Sequence, residues 1–280
     1  MTRRGKRTPR IGLGFVLAGL AGAASAQPDP ARPLWEAGLV AGAGRVPDYP
    51  GADQAHPRAI VLPYLEYRGP VLGIDERGIR GRFLDTAHWE LALTGTAAFN
   101  TRKDGRREGM PALDYLFGIG PQLVYKGWQR ADGGGASAHF KLRAIQSTDF
   151  RRIDSRGASF TTELRWRWPD LTGPGSALTA SVEPAWASRR LQSYFYEVGA
   201  AQATATRPAY QARAGYLGTD FTLTLRQRLG RELSWYVAAD LTALQGAANR
   251  ASPLLASQTN LAIGAWLVWT PWRSRQAAAD

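Results

Sequence analysis

A strict alternation of apolar and charged side chains constrains the fold of this chain more than any other feature. In the stretch SFTTELRWRWPD, from Ser159 to Asp170, the aromatic and aliphatic residues fall on one parity and the charged residues on the other. Successive side chains of a β-strand point to opposite faces, so the stretch predicts a strand with one aromatic face and one charged face. A soluble sheet would bury the tryptophans, whereas a membrane barrel would turn them outward to lipid.

The same pattern recurs across residues 34–272 in about 12 segments, many of them close to the length of a tilted transmembrane strand. No segment shows sustained helical periodicity. The strand predicted at 210–229 changes parity near Gly218, which indicates a β-bulge. Long connections, such as 44–58 and 188–209, alternate with short ones, as they do in outer-membrane barrels with periplasmic termini. The sequence therefore predicts an all-β, antiparallel transmembrane β-barrel of about 12 strands with its termini in the periplasm.

A soluble, lipocalin-like barrel is the alternative fold, and it would have to bury the apolar face. The interior of an eight-stranded barrel is just wide enough for side chains or one small ligand. The ten tryptophans of this chain and its long apolar stripes are too bulky for such an interior. The mean hydropathy of −0.29 also suits a barrel in which only alternate residues touch lipid. The membrane barrel is the favoured prediction.

Residues 1–26 have the order of a secretory signal peptide. A basic start is followed by an apolar stretch and by small residues, which predicts cleavage between Ala26 and Gln27. The alternative is a membrane anchor, but the apolar stretch is shorter than the roughly 20 residues that span a bilayer. Residues 27–33 are predicted to be a mobile lead-in, and 273–280 a polar tail. The protein is expected to leave the cytoplasm of a Gram-negative bacterium for the cell outer membrane.

Composition argues against several functional classes. The chain has no cysteine and three histidines, which leaves no disulfide framework and disfavours a zinc site. The net charge of +12 accompanies no recognition motif for nucleic acid. The glycine-rich ADGGGAS at 131–137 lacks the Lys-Ser/Thr of a phosphate-binding loop. We therefore predict no cofactor, no metal and no nucleic acid partner.

If the apolar face meets lipid, the opposite parity lines the lumen with charges of both signs. Buried charges need partners, so near balance favours pairing across strands, while an anion-selective lumen is the alternative. The predicted lumen charges are Glu36, Glu90, Lys141, Arg143, Glu163, Arg165, Arg167, Glu183, Arg226, Arg228 and Asp240.

An outer-loop motif, VPDYPGADQ, follows the first predicted strand. It contains Pro47, Asp48, Tyr49, Gly51 and Asp53, which are either turn-forming residues or ligand contacts, and turn chemistry is favoured. No catalytic residues are predicted. His139 lies two residues from Ser137 on one strand, which by itself specifies no catalytic triad.

Five stretches in this order and spacing carry a family resemblance: GLVAGAGRVPDYPGAD (38–53), VLPYLEYRGP (61–70), RGIRGRFLDTAHWELAL (77–93), GIGPQLVY (118–125) and YFYEVGAAQATATRPAYQARAG (194–215). Through them the chain resembles the MipA/OmpV family of outer-membrane proteins. The resemblance implies a monomeric barrel surrounded by outer-membrane lipid. It also implies a non-enzymatic scaffold that binds a lytic transglycosylase and a bifunctional penicillin-binding protein, and thereby links peptidoglycan-remodelling enzymes to the envelope. A porin-like channel for small solutes and an enzyme acting on lipid or murein are the alternatives.

Overall fold

The computed structural model describes residues 33–68, 72–75, 78–98, 100–101 and 105–276. Within these residues most of the chain is strand. The predicted signal peptide, its cleavage point at Ala26 and Gln27, and most of the lead-in lie outside the described residues, as do the last four residues of the tail. The strands of the described part are β1 Trp35–Pro47, β2 Ala55–Arg68, β3 Leu72–Asp75, β4 Gly78–Asp85, β5 Trp89–Ala98, β6 Tyr115–Gln129, β7 Gly135–Thr148, β8 Ile153–Pro169, β9 Ser176–Ala187, β10 Gly215–Arg228, β11 Leu233–Ala243 and β12 Thr259–Arg273.

Every strand pairs antiparallel with its neighbour in sequence, and β1 also pairs with β12. The sheet therefore closes into a barrel without a free edge. Two further hydrogen bonds join the two ends of the described part of the chain beside this seam: Leu34 N–H donates to the Gln276 carbonyl at 2.7 Å, and Ser274 N–H donates to the Trp35 carbonyl at 2.9 Å. The prediction of an all-β antiparallel fold is confirmed.

Strand β8 has the apolar face outside, as the alternation predicted. Leu164 is 52% exposed on the outer surface, while Glu163 and Arg165, its neighbours in sequence, are 3% and 6% exposed in the lumen. Other outward residues include Leu142 and Ile263, which are also about half exposed. An apolar exterior and a buried charged interior are the reverse of a soluble β-protein, and they suit a lipid environment.

The interior also contains an apolar cluster that the alternation did not predict. Tyr236 and Trp266 point into the lumen, where their rings stack with centroids 5.2 Å apart and planes 8° from parallel. Val40 and Val268 pack beside them, and all four residues are buried. Aromatic side chains thus fill part of the lumen near the β1–β12 seam.

Three sequence-based boundaries change. Strands β1 and β2 are longer than predicted, so the first outer connection shortens from 44–58 to 48–54, and Pro47 becomes the last residue of β1. Strand β10 begins at Gly215 rather than at residue 210. Its register shifts between Tyr216 and Gly218, which confirms the predicted bulge.

A short helix, α1 (Arg189–Tyr196), lies in the connection between β9 and β10, where no helix was predicted. It is only two turns long and buries Leu191 and Phe195, which lie four residues apart on one face. None of the helices in the described part of the chain has the length and apolar character of a membrane span.

The largest buried apolar cluster lies at one mouth of the barrel. Four connections on the same side of the sheet, 48–54, 105–114, 188–214 and 244–258, pack together there, and we call them the loop cap. Their buried side chains include Tyr49, Met110, Tyr196 and Leu254. The barrel is thus a strand wall with a folded core across one opening.

Candidate functional site

A buried ion-pair network crosses the middle of the lumen. The Glu163 carboxylate accepts hydrogen bonds from Arg165 Nη2 and Nε at 2.6 and 2.8 Å, and its second oxygen lies 2.6 Å from Lys141 Nζ. Lys141 also donates to Glu183 at 2.7 Å. Four predicted lumen charges therefore meet in one cluster across β7, β8 and β9. Pairing of this kind compensates the cost of removing the charges from water.

The other predicted lumen charges are less concentrated. Arg143 donates to the Thr94 hydroxyl at 3.3 Å, and Asp240 accepts from Thr222 at 2.6 Å and from Thr242 at 3.4 Å. The remaining five lie nearer the ends of their strands and are Glu36, Glu90, Arg167, Arg226 and Arg228.

His139 and Ser137 come closer than their sequence positions alone implied. The Ser137 hydroxyl lies 2.9 Å from His139 Nε2, and the side-chain amide of Gln122 lies 3.5 Å from Nδ1. Glu163 is directly across the ladder from His139, but its carboxylate is bound by Lys141 and Arg165. Neither Ser137 nor His139 lines the main cavity of the described structure. The contact therefore joins two side chains of the inner wall, away from that cavity.

The outer-loop motif is built into the loop cap. Asp48 is buried and accepts a hydrogen bond from His56 at 2.8 Å, with Arg58 at 3.4 Å. The Tyr49 hydroxyl donates to the Leu254 carbonyl at 2.8 Å. Asp53 forms a more exposed ion pair with Arg106 at 2.9 Å. The side chains that could have been ligand contacts are thus engaged with protein groups.

Gly51 is required at its position in the motif. Its φ of +86° belongs to the left-handed region, which favours glycine. Its N–H donates to the Asn260 side chain at 2.6 Å, and the Asn260 amide donates in turn to the Ala52 carbonyl at 2.8 Å. Strand β12 thereby anchors the first connection over the lumen.

Arg107 is the polar centre of the loop cap. Its guanidinium is buried, donates to the carbonyls of Phe195 and Pro111 at 3.0 and 3.2 Å, and lies 5.8 Å from the centre of the Tyr49 ring. The Tyr196 hydroxyl donates to the Pro50 carbonyl at 2.8 Å. These contacts connect three of the four cap segments.

Burial shifts the titration of the cap residues. Desolvation raises the pKa of Tyr49 from 10.0 to about 12, an effect that the nearby Arg107 charge opposes. Desolvation also raises the pKa of Tyr196, and it lowers the pKa of Arg107. The two phenols therefore remain neutral hydrogen-bond donors through the physiological pH range.

A cavity of about 250 Å³ lies between the loop cap and the ion-pair network. Its lining combines apolar cap side chains with polar groups of the strand wall, including Asp240. Asp220 also lines it and was missed by the sequence analysis. The sequence did indicate its orientation, because after the bulge Asp220 shares the inward parity of Arg226 and Arg228.

Among the described residues, no group of three or more His, Cys, Asp or Glu side chains is arranged to hold a metal ion.

Comparisons with known proteins give one family match. Residues 39–271 match the family described as "MltA-interacting protein MipA". A comparison with curated proteins gives no match. Among solved structures, a chain of the NanC porin in a rhombohedral crystal form aligns with a TM-score of 0.40 and 7% identity, and covers 83% of this chain and 100% of the porin chain.

Proposed function

This chain belongs to the family of the MltA-interacting protein MipA, and from that premise we propose that it is an outer-membrane barrel that holds peptidoglycan-remodelling enzymes at the envelope. The proposed partners are a lytic transglycosylase and a bifunctional penicillin-binding protein. The observation that carries the proposal is the obstruction of the lumen. Ion pairs and a stacked aromatic pair occupy part of the interior and the loop cap covers one mouth, which favours a structural barrel over an open channel.

The proposed orientation follows from the connections. Those that the structure describes at the uncapped end are short, at 86–88, 130–134, 170–175 and 229–232, and the first and last described residues lie at the same end. Outer-membrane barrels have short periplasmic turns and longer extracellular loops. We therefore place the uncapped end in the periplasm and the loop cap outside. In this orientation the turns face the compartment that contains peptidoglycan.

Co-purification tests the scaffold directly. The full chain, tagged and isolated from native envelopes, should recover a lytic transglycosylase and a murein synthase. Recovery should fall when Arg231→Glu and Glu232→Arg reverse the charges of the β10–β11 turn, where both side chains are exposed. The matched control reverses the exposed Asp53–Arg106 pair of the loop cap, which also leaves the net charge unchanged.

Two results would contradict the scaffold. Folded wild-type protein that recovers neither enzyme would remove the proposed partners. An equal loss of recovery in the turn variant and in the cap control would mean that docking does not use the periplasmic face.

Planar-bilayer recording separates the scaffold from a porin-like channel. Because the loop cap covers one mouth and ion pairs obstruct the interior, folded wild-type protein should show no steady conductance. Conductance whose ion preference shifts in Arg165→Glu would favour the channel, since charges that line a pore set its selectivity. Hydrolysis of lipid or murein that is abolished in His139→Ala would instead favour an enzyme.

A further inference from the structure

The cavity beneath the loop cap has two chemically different walls. On the cap side its lining is apolar, with Leu191 and Phe195 of α1 and the ring of Tyr49. On the barrel side it is polar and acidic, with Asp220 and Asp240. Its volume of about 250 Å³ is many times the ~10–15 Å³ that one water molecule needs on the same measure. The cavity is therefore large enough for a compact organic molecule.

The pairing register of strands β9, β10 and β11 brings the acidic side chains of this wall together. Glu183 on β9 is directly opposite Asp220 on β10, and Asp240 on β11 is opposite Thr222, two residues further along β10. Side chains directly opposite have Cβ atoms about 5 Å apart, and diagonal neighbours are about 7–8 Å apart. Three carboxylates thus lie side by side on the inner wall of three adjacent strands.

The protein supplies too few cations for these carboxylates. Glu183 is bound by Lys141, which it shares with Glu163. Asp220 and Asp240 have hydroxyl partners, and neither forms an ion pair within the described residues. Arg143 also lines the cavity, so three carboxylates there face one guanidinium. Hydroxyls stabilise a carboxylate but leave its charge uncompensated, and a cation from outside would compensate it.

A second observation points to a ligand with a hydrogen-bond donor. Thr161 lines the cavity and is only 8% exposed, and its hydroxyl has no hydrogen-bond partner in the described part of the chain. Buried hydroxyls without partners are rare in folded proteins. A donor group in the cavity would satisfy this oxygen.

We propose that the cavity binds a small organic cation, in which a protonated amine contacts Asp220 and Asp240 and a compact apolar body packs under the loop cap. The ammonium group supplies the missing charge, and a donor group of the bound molecule that reaches β8 would satisfy Thr161. The aromatic and aliphatic cap residues cover the rest of the molecule. This binding activity does not depend on the scaffold proposed above, since it uses only the lumenal wall and the cap.

Three probes of similar shape test the charge requirement. Phenethylamine is a cation at neutral pH, phenylacetate is an anion and 2-phenylethanol is neutral. Isothermal titration calorimetry of the folded full chain in detergent, corrected for titration into empty micelles, should show the amine binding at least about tenfold more tightly than the other two, because only the amine makes the charge-assisted contacts. Heat-modifiable migration in a gel verifies that the barrel is folded.

Matched variants then test the site. Asp240→Asn keeps the shape of the side chain and should weaken amine binding by about tenfold, while Asp53→Asn, which removes an acid from the loop cap, should leave it unchanged. Equal binding of all three probes, no binding of the amine, or undiminished binding in folded Asp240→Asn would overturn the proposal. If Asp240→Asn does not fold, the three-probe series on the wild-type barrel still decides.

Discussion

Replacing Glu163 with glutamine should destabilise the barrel more than any other single loss of charge in the lumen. Glu163 is 3% exposed and is shared by Lys141 and Arg165. In Glu163→Gln, Lys141 retains Glu183 at 2.7 Å, but Arg165 loses its carboxylate while it remains buried. The main consequence is therefore one uncompensated guanidinium in the lumen.

The size of the effect follows from that single orphaned charge. Breaking a buried ion pair by removing one partner costs about 3–5 kcal/mol. Because Lys141 keeps a partner and the glutamine oxygen can still accept one hydrogen bond, we expect the lower end, about 3 kcal/mol. This corresponds to a decrease of about 150-fold in the ratio of folded to unfolded protein.

Equilibrium unfolding in urea measures this loss. The barrel is reconstituted in vesicles and followed by the fluorescence of its ten tryptophans. Glu163→Gln combined with Arg165→Met removes both charges and should recover stability to within about 1 kcal/mol of wild type. As an exposed control, Asp53→Asn breaks the pair with Arg106 and should cost less than about 1 kcal/mol.

Two results would refute the reasoning. A loss in Glu163→Gln no larger than in Asp53→Asn would mean that the lumen solvates Arg165 well. A double variant as unstable as Glu163→Gln would mean that the loss comes from packing rather than from an uncompensated charge.

Three further predictions concern the loop cap, the seam and the outer surface. Burial raises the pKa of Tyr49 from 10.0 to about 12. The neutral phenol therefore stabilises the cap fully below pH 10, and this stabilisation is lost as the pH rises towards 12. The absorbance of tyrosinate should show a group that titrates late in the wild type and is absent in Tyr49→Phe. Gly38→Ala should prevent barrel closure and abolish heat-modifiable migration, because a Cβ at this position would clash with a backbone oxygen of β12. The control Gly95→Ala should fold normally, because the atom nearest to its new Cβ would be 3.5 Å away. Ile263→Arg should lower the free energy of unfolding in vesicles by about 2–4 kcal/mol if this outward residue lies at the bilayer midplane, and Leu171→Arg in a short turn should have little effect.

The strand wall could be predicted because the inward or outward direction of each side chain follows from the alternation of neighbouring residues. In β8 the identity of each residue and of its neighbour is enough to assign Leu164 to one face and Glu163 to the other. The bulge before Gly218 was also readable, because the apolar parity changes there. Asp220 was missed although its parity pointed inward, because it lies directly after the bulge, where the parity of the strand changes.

The loop cap could not be predicted because its contacts join residues far apart in sequence. The hydrogen bond from Tyr49 to the Leu254 carbonyl spans 205 residues. Each cap segment alone has the composition of an ordinary loop, and α1 is too short for its periodicity to stand out. The cavity depends on both parts, because strands supply its acidic wall and cap segments its apolar one.

The pairing of β1 with β12 has a consequence for how the molecule is assembled. Until these two strands meet, each presents a complete row of unpaired backbone amides, and such edges recruit other extended chains. Assembly therefore carries its greatest risk of aggregation just before the final ladder forms, when the other strands are already in register. We expect defects along β1 or β12 to deplete the protein during biogenesis, whereas comparable defects in the middle of the sheet would weaken a barrel that has already matured.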